Sequence, residues 1–348
     1  MTIAIVFGSV SFEHEISIVS AISMKKVLNK NDEELLYIFI DKNREFYLIP
    51  TDIIKSNLFS SGEYKKFDQL QLTNNNFTKK SMFGTKNIDF DVVLNLVHGG
   101  DGEDGVLAGL FKFYNIPFIG PRVNASVISC DKYITKNYAS SCEVKTLPCQ
   151  YFDRTKDIKI DKYPCIIKPT KLGSSIGVSI VKSEDELAYA LDIAFEFDDT
   201  IIVEPFINGV KEYNLAGVKL NGEFKFSIVE EPEKEEFLDF DKKYLDFNRT
   251  SKVQKASISD DLEKLLKEDF IKIYNNTFDG SLIRCDFFVI KNEIYLNEIN
   301  SIPGSMANYL FDDFNDIIKR LAKSLPISKK IDINYEYVNK IQNAKGKA

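Results

Sequence analysis

The stretch KPTKLGSSIGVS, residues 168–179, follows the apolar run YPCIIK and combines two glycines with three serines, a threonine and two lysines. A loop of this composition after a buried strand is typical of a phosphate-binding site. It does not match a P-loop, which places lysine directly after its second glycine, because Val178 follows Gly177. The G-x-G-x-x-G triplet of dinucleotide-binding domains is also absent from the sequence. This stretch, called the glycine loop below, therefore indicates a nucleotide site of another kind.

The bulk composition limits the classes of function. The 348 residues are enough for two or three domains, and the net charge of −7 argues against broad contact with nucleic acid. No apolar run approaches the ~20 residues needed to cross a membrane, and the apolar start MTIAIVFGSV is typical of a first strand. Five scattered cysteines without a C-x-x-C pair indicate a reduced, cytoplasmic protein without a zinc site.

The first domain is predicted over residues 1–128 as an open parallel α/β sheet, because apolar strands alternate with helical patterns. The predicted elements are strands at 3–8, 34–40 and 90–100, an edge strand at 44–49, and an irregular polar segment at 51–88.

Two smaller α+β domains are predicted to follow, at residues 129–207 and 208–348. The glycine loop separates two strand-like runs in the first of them. The second ends in two strands, SLIRCDFFVI and EIYLNEIN, joined at Lys291 and Asn292.

This last hairpin carries the strongest chemical signal. Glu298 and Asn300 share one face of a strand, and a three-residue turn at 291–293 would place Asp286 opposite Glu298. Three oxygen ligands on one face suit Mg²⁺, with Arg284 beside them. The following IPGS run is able to present backbone N–H groups as an oxyanion hole would. The alternative is an exposed strand pair whose charged residues face solvent.

Further polar stretches follow the predicted strands. HGGDGEDGVLAG (98–109) begins with His98, at the strand end where open α/β sheets bind ligands, although a merely flexible loop fits as well. Glu15 lies in a first helical turn, where it either complements the helix dipole or receives a substrate ammonium group. Glu204 and Glu212 alone would be ordinary surface acids. The loop DFDKKYLDFN (239–248) has the length of a lid.

Taken together, these stretches resemble the D-alanine–D-alanine ligases of the ATP-grasp superfamily. The resemblance runs from the first strand to about residue 325 and rests on motifs in a fixed order: E-H-E-I-S, H-G-x-x-G-E-D-G, D-K, K-P with G-S-S-I-G, E-P-F-I, K-K-Y, R-C-D, N-E-I-N and P-G-S. It implies a fold of three α/β domains, in which a two-domain ATP-grasp fold follows the N-terminal sheet and holds ATP. The glycine loop would then be a movable flap between two antiparallel strands, with Lys168 ahead of its glycines.

The resemblance implies roles in ATP and metal binding. Lys132 and Lys168 would bind the α- and β-phosphates. Glu204 and Ile207 would meet the adenine, and Glu212 the ribose. The other ATP-binding residues would be Gly173, Ser174, Ser175, Lys243 and Asn300. Asp286, Glu298 and Asn300 would hold two Mg²⁺ or Mn²⁺, and the need for a monovalent cation stays open.

The resemblance also implies the substrate contacts. Glu15 would bind the ammonium group of the first D-alanine, with His98 lining the pocket. Ser174 and Tyr244 would hydrogen-bond with Glu15 and close the lid, and Lys243 would contact the transferring phosphate or a substrate carboxylate. Arg284 and the Gly304 N–H would stabilise the tetrahedral oxyanion. Ser305 and Tyr309 complete the substrate-binding set, although Tyr309 stands where many members have a serine, and Ala108 stands where glutamine is usual.

The implied reaction joins two D-alanine molecules for peptidoglycan precursor synthesis. One D-alanine carboxylate would attack the γ-phosphate of ATP, giving an acyl phosphate and ADP, and the amine of the second D-alanine would then displace phosphate. Positioning and electrostatics would supply the rate, without a protein nucleophile. The implied partners are ATP and D-alanine, with neither nucleic acid nor membrane, and the implied assembly is a homodimer.

Three alternatives remain at this point. A D-alanine–D-lactate depsipeptide ligase is disfavoured by Tyr244, a position that is typically not tyrosine in such enzymes. A nucleotide-binding regulatory protein without turnover is disfavoured by the full set of metal ligands and Lys243. A Rossmann oxidoreductase is disfavoured by the missing glycine triplet.

Overall fold

The computed structural model describes residues 1–28, 34–232, 255–327 and 329–345. Its strands are β1 Thr2–Gly8, β2 Glu34–Ile40, β3 Phe46–Ile49, β4 Gln69–Thr73, β5 Asn76–Ser81, β6 Gly84–Asn87, β7 Val92–Asn95, β8 Phe118–Ile119, β9 Gln150–Asp153, β10 Cys165–Pro169, β11 Ser179–Val181, β12 Thr200–Pro205, β13 Lys211–Leu220, β14 Glu223–Glu230, β15 Ile283–Ile290 and β16 Glu293–Asn300. Its α-helices are α1 His14–Leu28, α2 Ser56–Ser60, α3 Gly100–Glu103, α4 Val106–Phe113, α5 Val123–Cys130, α6 Lys132–Ser141, α7 Leu187–Phe197, α8 Asp260–Tyr274, α9 Phe314–Lys323 and α10 Glu336–Lys345. The whole predicted lid, residues 239–248 with Lys243 and Tyr244, lies outside the described residues.

The first sheet has the strand order β6-β5-β4-β3-β2-β1-β7-β8. β1 is parallel to β2 and β7, and β7 is parallel to β8, which confirms the predicted parallel sheet. Because parallel strands present their carboxyl ends at one edge, the loops after β1 and β7 meet there. Glu13 and His98 belong to these two loops.

The other half of the first sheet departs from the prediction. β3 is an internal strand, paired antiparallel with both β2 and β4, so the predicted edge strand at 44–49 is wrong. The predicted irregular segment is also wrong in part, because β4, β5 and β6 continue the sheet antiparallel. These strands are mostly polar, with Leu70 and Phe77 among their few buried apolar residues. Their apolar alternation is therefore too weak to recognise in the sequence.

One hydrophobic core joins the first sheet to the end of the chain. Ile3 of β1 and Met24 of α1 belong to the same buried cluster as Met306, Phe314 and Leu321. Burying one such side chain contributes about 1.5–3 kcal/mol. The turn that contains Met306 is consequently held against α1, close to the loops of the first sheet.

The second sheet has the strand order β11-β10-β12-β9 and is antiparallel throughout. α7 packs on it through Ala190 and Ala194. The glycine loop connects β10 to β11, which confirms that it lies between two antiparallel strands.

The third sheet has the strand order β14-β13-β15-β16 and is also antiparallel. Leu266, Phe270 and Ile273 of α8 are buried against it. It approaches the second sheet where Lys168 on β10 lies 3.4 Å from the side-chain oxygen of Asn297 on β16. Each of the three sheets lies within one of the three predicted segments, whose domain bounds stay a prediction.

Within the described ranges, every helix is too short or too polar to cross a membrane.

Candidate active site

The β15–β16 hairpin places Asp286 opposite Glu298, as predicted, but by another route than a three-residue turn. The turn consists of the two residues Lys291 and Asn292, both with positive φ, and alone it would pair Asp286 with Asn297. A bulge at Asn297 adds one residue to β16 and moves Glu298 opposite Asp286. The bulge, not the turn, sets the geometry of the acidic cluster.

Four side chains converge on this face of the hairpin. Arg284 binds Asp286 through two hydrogen bonds of 2.7 Å, from Nε and from Nη2. The Asn300 Nδ2 atom lies 3.0 Å from Asp286 Oδ2 and 3.5 Å from Glu298 Oε1. Asp286 is only 2% exposed, so the cluster is desolvated on its inner side.

The two carboxyl groups of this cluster differ in acidity. Burial raises the pKa of Asp286 to about 7, although Arg284 opposes the shift and the charge of Glu298 adds to it. Burial also acts on Glu298, but the charges of Lys132 and Arg284 outweigh it and lower its pKa. The ionised form of Glu298 is therefore stabilised by a lysine from another part of the fold.

The donor set of the cluster fits Mg²⁺. Two carboxylates and one amide offer hard oxygen ligands on one side, which leaves positions for phosphate oxygens and water. Within the described residues there is no group of three or more His, Cys, Asp or Glu side chains able to hold a metal ion. A cation at this cluster would consequently depend on Asn300 and on the substrate for its remaining ligands.

Two lysines face this cluster from the second part of the chain. Lys132 begins α6 and donates to the main-chain oxygen of Leu172 in the glycine loop. Burial lowers its pKa, against the charge of Glu298. Lys168 lies on β10, 13% exposed, between Glu204 at 2.6 Å and Asn297 at 3.4 Å. The two ammonium groups thus lie between the glycine loop and the acidic cluster.

Glu13, and not Glu15, is the carboxylate that meets the glycine loop. The Ser174 hydroxyl donates a hydrogen bond to Glu13, so the predicted contact with Glu15 is wrong. Glu15 is exposed on the first turn of α1. Glycines make room for Glu13, because a Cβ on Gly99 would lie 2.7 Å from its Oε2 and one on Gly173 would lie 3.1 Å from its Oε1.

The surroundings of Glu13 form a small polar network. Burial and the nearby charge of Glu103 raise the pKa of Glu13, while the hydrogen bond from Ser174 opposes the shift. Glu103 accepts from the Gly99 N–H at 3.1 Å and lies 3.8 Å from His98 Nδ1. His98 itself is buried, and its role in lining a substrate pocket stays a prediction.

The turn after β16 is attached to the same network. Ser305 begins three consecutive residues with φ near +50°, a left-handed conformation that is costly without glycine. Its N–H donates to the Ser20 hydroxyl of α1 at 3.2 Å, and its own hydroxyl lies 2.9 Å from that of Ser23. His98 Nε2 lies 2.8 Å from the same Ser20 hydroxyl. Gly304 precedes this turn, so the backbone at the predicted oxyanion donor is tied to α1.

The remaining predicted residues lie after β12, on β13, in the glycine loop and after β16. Ile207 follows β12 by two residues, and Glu212 lies on β13, where its charge helps to raise the pKa of Asp286. Ser175 follows Ser174 at the exposed tip of the glycine loop, and Tyr309 is 37% exposed.

Three residues of the site were missed by sequence reasoning: Glu13, Glu103 and Asn297. The rule that ligands lie at strand ends selects the loop after β1, but it does not distinguish Glu13 from Glu15. The acids of the glycine-rich stretch 98–109 gave a usable signal for Glu103. No sequence pattern marks Asn297, because a bulge in an antiparallel pair leaves the period-two pattern on either side intact.

One cleft joins these groups. Its lining includes Glu13 and Glu103 from the first sheet, Lys132 and Gly173 from the second part of the chain, and Glu298 from the third sheet. The carboxylates after β1 and β7, the glycine loop with Lys132, and the acidic cluster of the β15–β16 hairpin therefore share one space between three sheets.

The fold and this cleft define a ligase of the ATP-grasp class. The family model described as D-ala D-ala ligase N-terminus matches residues 2–121, and the one described as D-ala D-ala ligase C-terminus matches residues 145–315. The chain belongs to the D-alanine–D-alanine ligase family.

Individual relatives agree with this assignment. The D-alanine–D-alanine ligase of Sulfurovum sp. is 60% identical over 349 residues, which cover 100% of both chains. The crystal structure of the ligase from Helicobacter pylori is 50% identical, with a TM-score of 0.84 over 94% of this chain and 100% of that one. The VanG D-Ala:D-Ser ligase of Enterococcus faecalis is 27% identical, with a TM-score of 0.74 over 92% and 98% of the two chains. The predicted family, fold class and enzyme class are confirmed, and membership in this family implies the use of ATP and D-alanine.

Proposed function

We propose that this protein joins two D-alanine molecules into D-alanyl-D-alanine, a peptidoglycan precursor, and converts one ATP to ADP and phosphate. The observation that carries the proposal is the hydrogen bond from Ser174 to Glu13. It connects a loop suited to phosphate with a half-buried carboxylate suited to an ammonium group. A ligase that activates an amino acid with ATP needs these two groups in one cleft.

The first D-alanine would be bound through its ammonium group by Glu13, which replaces Glu15 in this role. Glu13 has no lysine or arginine as a hydrogen-bond partner among the described contacts, and Ser174 holds its carboxylate in place. His98 lines the pocket from the next loop. Tyr244, in the proposed lid, would close over this pocket.

ATP would lie between the second and third sheets. Lys132 and Lys168 would bind the α- and β-phosphates, under a cover formed by residues 173–175 of the glycine loop. Glu204 and Ile207 would meet the adenine, and Glu212 the ribose.

The acidic cluster would hold two Mg²⁺ or Mn²⁺ through Asp286, Glu298 and Asn300. When bound, such ions neutralise the charge of the phosphates and orient them. The convergence of three oxygen-bearing side chains on one face of the hairpin supports this proposal.

The chemistry then has two steps. In the first, a carboxylate oxygen of one D-alanine attacks the γ-phosphorus of ATP, the bond to the β–γ bridging oxygen breaks, and ADP leaves. In the second, the neutral amine of another D-alanine attacks the acyl carbon, the C–O bond to phosphate breaks, and the proton lost by the amine leaves with the departing phosphate. Arg284 and the Gly304 N–H would stabilise the tetrahedral oxyanion, and Lys243 would contact the transferring phosphate or a substrate carboxylate. Ser305 and Tyr309 would border the second D-alanine.

We also propose an oligomeric state and a cellular location for the protein. We propose a cytoplasmic homodimer, with which the five free cysteines agree. Light scattering coupled to gel filtration would measure its mass, and a monomer at micromolar concentration would reject the dimer.

Phosphate release from ATP, measured with a panel of D-amino acids and D-lactate, tests the function. We expect release with D-alanine alone, and D-alanyl-D-alanine as the product by mass spectrometry. The similarity to a D-Ala:D-Ser ligase makes D-serine the second candidate for the second position. A mixed product formed in preference to D-alanyl-D-alanine, with D-serine or D-lactate present, would contradict the proposal.

A further inference from the structure

Lys136 is a buried lysine to which the site described above gives no role. It lies one helical turn after Lys132 on α6 and is 7% exposed. Its Nζ donates to the main-chain oxygen of Leu147 at 2.9 Å and forms an ion pair with Glu204 Oε1. A lysine is seldom buried to this extent unless its charge is paired, and here the ammonium group is paired with the carboxylate of Glu204.

Glu204 is shared between two lysines. Its other oxygen, Oε2, lies 2.6 Å from Lys168 Nζ, and the residue is 3% exposed. Burial alone would raise the pKa of this carboxyl group, but the charges of Lys168 and Lys136 outweigh it, and the pKa is lowered. Glu204 is therefore an ionised, acceptor-only group in a desolvated position.

The two lysines are not equivalent partners of Glu204. Lys168 is the more exposed of the two and also approaches Asn297, at the edge of the cleft. In the proposed function Lys168 turns to the phosphates of ATP, which weakens its hold on Glu204. Lys136 is held in place by its hydrogen bond to the Leu147 carbonyl, so it remains paired with Glu204 when ATP binds. It is thus the partner that keeps Glu204 ionised once a nucleotide is bound.

We propose that Lys136 is the positioning residue that sets the base specificity of the nucleotide site. By holding Glu204 ionised, it makes the carboxylate accept a hydrogen bond from the 6-amino group of adenine and repel the 6-carbonyl oxygen of a hypoxanthine or guanine base. Without Lys136, Glu204 would take up a proton more readily, and its O–H would donate to a 6-carbonyl group. This inference rests on the proposed function, in which Glu204 meets the adenine.

The test compares ATP with ITP, which carries a carbonyl in place of the 6-amino group. kcat and KM are measured for both nucleotides at saturating D-alanine. Lys136→Met should lower the preference for ATP by about tenfold, mainly through the KM for ATP. Lys136→Arg, which retains the charge, should keep most of the preference. The control is Lys145→Met, since Lys145 forms an exposed ion pair with Glu293 on a neighbouring segment. An unchanged preference in folded Lys136→Met would overturn the inference.

The failure of this inference is distinguishable from that of the proposed function. If the wild-type protein releases no phosphate with D-alanine, the proposed function is rejected. If the wild type is active and Lys136→Met prefers ATP over ITP as strongly as the wild type does, only the role of Lys136 is rejected. If Lys136→Met does not fold by circular dichroism, Lys136→Gln, which can still donate to the Leu147 carbonyl, is measured in the same way. Glu204→Gln should cause a similar loss of preference, and the double variant should lose little more. Additive losses would show that the two residues act separately and would overturn the inference.

Discussion

Ser174 in the glycine loop donates a hydrogen bond to Glu13, a residue 161 positions earlier in the chain. This bond joins the loop that we propose covers the nucleotide to the loop after β1. A flap that closes over ATP would therefore also fix the carboxylate proposed to bind the first D-alanine. Binding of the two substrates should be coupled through this one contact, since ordering the loop for one ligand reduces the cost of ordering it for the other.

The first prediction separates Glu13 from Glu15. Glu13→Gln should raise the KM for the first D-alanine by about 10- to 100-fold, because an ammonium group loses a charged hydrogen-bond partner in a desolvated site. Glu15→Gln is a matched control two residues away, exposed on α1. It should change this KM by less than about twofold, as is usual for surface positions. Initial rates of phosphate release over a range of D-alanine concentrations measure both values. The reverse order of effects would restore Glu15 to the role that the sequence suggested.

The second prediction concerns pH. Burial and Glu103 raise the pKa of Glu13, so its ionised form is lost on acidification at a higher pH than for an ordinary glutamate. An ammonium group binds the ionised form, and kcat/KM for D-alanine should therefore fall as the pH drops through this raised pKa. The bond from Ser174 stabilises the ionised form, so Ser174→Ala should move the acidic limb of the profile to higher pH. If the acidic limb lies at the same pH in the wild type and in Ser174→Ala, Glu13 is not the group whose ionisation controls D-alanine binding.

Glu13 and Glu15 also show how much of the site can be predicted from the sequence. Buried strands and the rule on strand ends correctly predict the parallel sheet, the cleft and the loop that supplies the carboxylate. They do not predict which of two acids, two residues apart, points into the cleft, because that depends on packing against Gly99 and Gly173 from distant parts of the chain. Likewise, β4 and β5 have too few apolar residues to be recognised as strands in the sequence. They form strands because β4 pairs with the edge of β3 and β5 pairs with β4.

The third prediction tests the acidic cluster. Glu298→Gln should lower the rate of phosphate release by at least about 100-fold, since it weakens both the proposed metal site and the pairing of charge with Lys132. The fold should persist, because the substitution preserves shape and relieves the repulsion between Glu298 and Asp286. Glu293→Gln, an exposed acid at the start of the same strand, is the control and should retain activity. Near-normal turnover in folded Glu298→Gln would reject the metal assignment.

The last prediction concerns the serines of α1 that hold the left-handed turn at residues 305–307. Ser20 accepts from the Ser305 N–H and also contacts His98. Ser23 donates to the main-chain oxygen of Ser20 and meets the left-handed turn through the side-chain hydroxyl of Ser305. Ser20→Ala leaves buried polar groups without partners, which costs about 1–3 kcal/mol, and allows the turn to relax from a strained conformation. Because Gly304 lies next to this turn, kcat should fall by about tenfold while the KM for ATP stays constant. Ser23→Ala should have a smaller effect, since the Ser305 N–H keeps its acceptor. Steady-state kinetics with thermal melts would measure both, and equal effects of the two substitutions on kcat would show that the contact of Ser20 with the backbone does not position the oxyanion donor.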